Sequence, residues 1–132
     1  MTRTLLDTSA YAAFMRGHEP VKAALQQAEE VYLNPIVIGE LLAGFMRGRH
    51  RAKNQTELQT LLSSPRVGVL ALDQETSARY AAILNTLRNA GTPIPTNDIW
   101  IAATAMQHSL RILTTDAHYM KVPQVIVDFF EI

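Results

Sequence analysis

Thr4-Leu5-Leu6-Asp7-Thr8-Ser9 opens the chain with a short apolar run, an acid, and two hydroxyl residues able to cap a helix. The same grammar returns twice. Residues 31–33 form a strand-like run before Asn34-Pro35, a good N-cap and first-turn pair for a helix to about residue 46. Ile112-Leu113-Thr114-Thr115 ends on Asp116. Working outward, the first helix is expected to start on a Thr8 or Ser9 cap, run to about Arg16 and break at Gly17 and Pro20. Further helices are expected over 21–29, 52–62, from an Asp73 cap to Asn89 with Gly91 closing it, and after Thr96-Asn97 to His108. Strands are expected at 4–6, 31–33, 67–72, 111–114 and 125–127. Strands alternating with helices predict one α/β domain over 1–132, with a mostly parallel central sheet of four to five strands flanked by helices.

Four acids stand where such a fold wants apolar side chains. Asp7 follows Leu5-Leu6, Asp98 opens Ile99-Trp100-Ile101-Ala102-Ala103, and Asp116 closes a strand-like run. Each has an ordinary explanation by itself, as a cap or a loop acid. Glu40 has none, because Ile36, Val37, Ala43 and Gly44 surround it at helical spacing. A lone carboxylate on such a surface is costly unless it is paired, hydrogen-bonded or bound to a cation. In parallel sheets, ligands gather at the carboxyl ends of strands, where Asp7 and Asp116 are expected. Glu40 and Asp98 are expected near the first turns of helices packed on that sheet, so the four fit one crevice. Clustered carboxylates cannot all remain ionised uncompensated, and an all-oxygen set suits Mg²⁺ or Mn²⁺. One or two such ions activate water for attack on a phosphodiester.

Composition removes other chemistries. The 132 residues hold no cysteine, which excludes disulfides, zinc–thiolate sites, iron–sulfur clusters and thiol nucleophiles. Hydrophobic residues make up 48% and charged residues 18%, as in ordinary globular domains. No apolar run approaches the roughly 20 residues of a membrane span, and nothing resembles a leader peptide, so a cytoplasmic setting is expected. Twelve basic and twelve acidic residues cancel to zero net charge, so any polyanion must be met by a local patch. Arg47, Arg49, Arg51 and Lys53 supply one, one to two helical turns after Glu40. As a bare charge run it reads as a solvated helix end whose cations favour the dipole; beside carboxylates it reads as a contact for phosphates. The four histidines show no metal-ligand spacing and read mostly as surface residues, with His118, close to Asp116, a candidate for touching substrate.

Asp7-Thr8-Ser9, Glu40 in Ile38-Gly39-Glu40-Leu41-Leu42-Ala43-Gly44, Asn97-Asp98-Ile99-Trp100-Ile101-Ala102-Ala103, and Thr114-Thr115-Asp116-Ala117-His118 form an ordered series. Together they resemble the PIN-domain family, specifically the VapC-type toxins of type II toxin–antitoxin modules, over essentially the whole chain. The resemblance implies a Mg²⁺- or Mn²⁺-dependent endoribonuclease with Asp7, Glu40, Asp98 and Asp116 as its acidic quartet. It makes Thr114, Ser9 and Asn97 supporting residues. It also implies a homodimer restrained by a cognate antitoxin, with structured RNA, often transfer RNA, as substrate. The alternative is a PIN-like binding module that acts through its partner without cleaving RNA. A receiver domain would want an acidic pair on the first strand, and a phosphatase of the aspartate type a second Asp at position 9, where Ser9 stands.

Overall fold

The computed structural model describes residues 2–132. Strands β1 (Arg3–Leu6), β2 (Glu30–Leu33), β3 (Val67–Val69), β4 (Arg111–Thr114) and β5 (Ile126–Phe129) form one sheet in the order β3-β2-β1-β4-β5. Every neighbouring pair is parallel. Helices α1 (Thr8–Met15), α2 (Glu19–Gln27), α3 (Pro35–Arg47), α4 (Arg51–Leu62), α5 (Gln74–Ala90) and α6 (Thr96–His108) make the connections. The chain builds outward from β1 through β2 to β3, then crosses back to place β4 on the other side of β1. That reversal between β1 and β4 is the topological switch at which parallel sheets open a crevice. The register pairs Leu6 with Leu113, so Asp7 and Thr114 leave the sheet side by side.

The core explains the order of the elements. Leu5, Leu6, Ile112 and Leu113 are buried, as expected of central strands covered on both faces. Helix α6 buries Ile99, Ile101, Ala102, Ala103 and Ala105, and its Trp100 stacks on Tyr80 of α5 with ring centroids 4.2 Å apart. The fully buried Asn34 ties the helices of the crevice together. Its side chain accepts from Val37 N–H, capping α3, and donates to Thr104 of α6 at 2.9 Å.

Several local expectations shift. The N-cap of α1 is Asp7, not Thr8 or Ser9. Pro20 does not break a helix but sits in the first turn of α2, where its missing N–H has no intrahelical role, and His18 caps that turn. Strand β3 stops at Val69 rather than residue 72, because its partner β2 ends at Leu33 and the ladder has nothing further to pair with. The fifth strand lies at Ile126–Phe129, displaced toward the C-terminus from 125–127. The solvated-helix-end reading of the basic run holds for Arg47 alone, in the last turn of α3. Arg51 and Lys53 fall in the first turn of α4, the wrong end for a cation, and His50 offers that end no side-chain cap. Among the described residues no helix is long and apolar enough to cross a membrane.

Candidate active site

Asp7 leaves β1 and caps α1. Its Oδ1 accepts from Ala10 N–H at 2.8 Å and from the Ser9 hydroxyl at 2.9 Å, while Oδ2 accepts from the Thr114 hydroxyl at 2.7 Å. The residue is 3% exposed. Burial pushes its carboxyl up to about 6 against the pull of those three donors, and the charge of Asp116 adds to the rise. The Thr114 hydroxyl is a hinge between two acids: it donates to Asp7 and accepts from Asp116 N–H at 2.9 Å. Ser9 repeats the pattern, donating to Asp7 while its oxygen accepts from Thr115 N–H at 3.1 Å.

Asp116 caps a short 3-10 helix over Ala117–Lys121 by accepting from His118 N–H at 2.9 Å. This turn aims the His118 ring back at the acids. His118 Nδ1 lies 2.9 Å from Asp98 Oδ2 and 3.2 Å from Asp116 Oδ1. Asp98 stands in the uncapped first turn of α6, whose free N–H groups favour a carboxylate. Its other oxygen accepts from the buried Tyr119 hydroxyl at 3.2 Å. Burial raises the Asp98 carboxyl above its ordinary range, with the His118 contact opposing and Asp116 reinforcing. The Tyr119 phenol is raised too, first by burial and then by the negative charge of Asp7, Asp98 and Glu40 around it.

Glu40, in the second turn of α3, is not the unsatisfied acid its apolar neighbours imply. Thr8 donates to its Oε1 at 2.6 Å and the Asn97 side-chain amide to its Oε2 at 3.2 Å. It borders an open hollow lined by Pro35, Ile36, Gly39, Ala43 and Asn97.

The fold thus gathers the four acids around one end of the sheet, but not in one equal ring. Asp98, Asp116 and His118 each offer an atom within 4.8 Å of the others, close enough to share one ion. Asp7 is linked through the Thr114 hydroxyl to the backbone of Asp116, and Glu40 is held by Thr8 and Asn97, the chain neighbours of Asp7 and Asp98. Ser9, Asn97 and Thr114 all touch the acids. Arg47, Arg49, Arg51 and Lys53 are exposed and stand outside this network, with no ion pair among the described residues. Arg47 follows Glu40 by seven residues, so it lies on the same face of α3, about 10 Å along the axis. The sequence offered His118 only as a substrate contact beside Asp116, not as a partner of Asp98, and carried no signal for the contacts of Thr8 and Tyr119. For His118 the available signal was an imidazole two positions after a strand-end acid.

Residues 4–125 match the family described as PIN domain. The chain belongs to the PIN-domain family. Within it the similarity is to VapC-type proteins. Ribonuclease VapC4 of Mycobacterium tuberculosis is 32% identical over 124 residues, covering 93% of each chain. Toxin FitB of Neisseria gonorrhoeae is 34% identical over 120 residues, covering 85% of this chain and 86% of FitB. A crystal structure of VapBC2 from Rickettsia felis, bound to a DNA fragment from its promoter, superposes with a TM-score of 0.85 over 98% of this chain and 100% of that one. At 20% identity that likeness speaks for the PIN fold alone.

Proposed function

We propose that this PIN domain is the endoribonuclease toxin of a type II toxin–antitoxin pair, cleaving structured RNA, transfer RNA included, with Mg²⁺ or Mn²⁺. The observation that carries the reading is the convergence of Asp7, Asp98 and Asp116 at the switch point between β1 and β4, with Glu40 beside them. Asp7 remains buried there at a cost to folding, which a cation's charge would offset. Two of the three groups close enough to share an ion are carboxylates, with Asp7 and Glu40 nearby, a set that fits a hard divalent cation. Bound there, such an ion supplies the charge that activates water and offsets the charge developing on a phosphodiester.

The chain's own residues divide the remaining work. Asp98 and Asp116 are the primary ligands, with Asp7 completing the site from β1. Thr114 and Ser9 fix the Asp7 oxygens, and Thr114 sets the backbone at Asp116. Glu40, oriented by Thr8 and Asn97 on the open side, holds and aims the attacking water. Arg47 on the same helix face, with Arg49, Arg51 and Lys53 beyond it, draws in the phosphates that four carboxylates would repel. The antitoxin restrains the enzyme in the cytoplasm, and the toxin works as a homodimer. Met15 is exposed beside the apolar hollow formed with Tyr11, Leu41 and Phe45, a surface suited to that protein partner.

The test is incubation of the purified chain, freed of partner, with end-labelled structured RNA and Mn²⁺ or Mg²⁺. Discrete fragments that disappear with chelator and in Asp98→Asn support the reading. Cleavage indifferent to both, or none by the wild-type chain, refutes it.

A further inference from the structure

His118 belongs to no acidic quartet, yet it is the side chain that closes the set of groups able to share an ion. Its position is fixed from both sides. Asp116 caps the 3-10 turn through His118 N–H, and the next residue, Tyr119, is buried and bonded to Asp98. The backbone is thus held on each side of it, and the ring itself is held by its contacts with Asp98 and Asp116. One nitrogen, Nδ1, consequently sits 2.9 Å from one carboxylate oxygen and 3.2 Å from another, which come from different elements of the fold. Those separations match the roughly 3 Å between adjacent ligands around an octahedral ion with bonds near 2.1 Å. The ring's far edge reaches solvent, with the side chain 42% exposed. The tautomer carrying its proton on Nε2 can therefore bond to water while Nδ1 turns a lone pair to the acids. Ligating imidazoles commonly have their second nitrogen satisfied in this way.

We propose that His118 Nδ1 is a ligand of the divalent cation held by Asp98 and Asp116, and that it biases the site toward manganese over magnesium. This rests on the metal-site reading above. The bias follows from donor chemistry: Mg²⁺ takes oxygen almost exclusively, whereas imidazole nitrogen is acceptable to first-row transition ions. A single nitrogen among carboxylates thus alters which ion wins without altering the reaction. The rival role for the same geometry is a hydrogen bond from Nδ1–H that only orients Asp98.

The two roles separate by spectroscopy and affinity, with no measurement of cleavage. Mn²⁺ is added to the purified full chain and examined by pulsed electron paramagnetic resonance. Modulation from a directly bound ¹⁴N is expected in the wild-type chain, and its absence from His118→Ala. Titration calorimetry of the same proteins should show Mn²⁺ affinity falling at least about tenfold in His118→Ala, with Mg²⁺ affinity changed less than about threefold. His118→Asp, which restores an all-oxygen set, should bind Mg²⁺ at least as well as the wild-type chain and lose the preference for Mn²⁺. That variant also serves if His118→Ala fails to fold. Bound Mn²⁺ with no nitrogen coupling, or equal losses for both ions, would overturn the proposal and leave the metal site standing. No binding of either ion to the wild-type chain would overturn the site itself.

Discussion

Asp7 and Asp73 do the same local job in two regions of the molecule. Each caps a helix, and each accepts from a backbone N–H three residues on: Ala10 at 2.8 Å for Asp7, Thr76 at 3.1 Å for Asp73. Asp73 does this in the open. Its carboxyl is held below the usual range by the Thr76 backbone and the Gln107 amide, and its contacts lie wholly between α5 and α6. Asp7 does it in the interior, where burial overrides equally good hydrogen bonds and drives the carboxyl up to about 6. Capping explains an aspartate at either position. It does not explain burying one beside Asp116, and that surplus cost at Asp7 is what the proposed metal site would account for.

The comparison breaks most visibly in stability. Folded Asp7 titrates near 6 against an ordinary 3.8, so its ionisation at neutral pH costs the fold about 3 kcal/mol, at roughly 1.4 kcal/mol for each pH unit. Because the folded value is the higher one, stability falls as pH rises from about 4 through 6. Asp7→Asn, which keeps a capping oxygen, is therefore expected to gain about 1–3 kcal/mol at pH 7 in metal-free buffer, a gain that vanishes near pH 4. Asp73→Asn has the opposite sign. Its folded carboxyl is depressed, so it stabilises above its ordinary value and that contribution fades in acid. Denaturant melts of both variants across pH 4–7 check this, and parallel curves for the two would remove the distinction.

A smaller effect sharpens the same point. Thr114→Val keeps the shape of a fully buried side chain while removing the hydroxyl shared by Asp7 and Asp116. Leaving those partners unsatisfied should cost about 1–3 kcal/mol. Addition of Mn²⁺ should recover part of that loss as the ion takes over the Asp7 carboxylate while the Asp116 N–H stays unsatisfied, and a thermal melt with and without metal reads both numbers. Smallest is the expected change at Arg47. Arg47→Gln should leave stability unaltered but reduce the slope of log affinity for RNA against log salt by about 1. An unchanged slope would place that side chain outside the RNA contact.

Much of this was legible from residues 4–9 onward. Strand, acid and helix start recur at the sheet's carboxyl edge, so the parallel α/β architecture and the gathering of the acids follow from local signals. What escaped depends on contacts distant in the chain. Thr8 reads as a cap, and only the packing of α1 on α3 turns its hydroxyl to Glu40, 32 residues away. His118 shows no ligand spacing because its partner Asp98 lies 20 residues upstream, across a helix and a strand. The end of β3 was misplaced for a similar reason: Leu70 and Leu72 remain apolar, but the strand beside them has already become α3 at Pro35. The charge run at 47–53 was read by composition, whereas the helix dipole acts by position, and the break at Gly48 puts half of it on a helix start.

On the proposed function, the buried cap belongs to a metal-dependent ribonuclease site and the exposed cap does not. Single-turnover cleavage of one structured RNA by the wild-type chain, Asp7→Asn and Asp73→Asn, each with saturating Mn²⁺, tests it directly. Asp7→Asn should lose about a hundredfold or more in rate while Asp73→Asn stays within about twofold of the wild-type chain. Equal rates for all three, or equal losses in both variants, would contradict it.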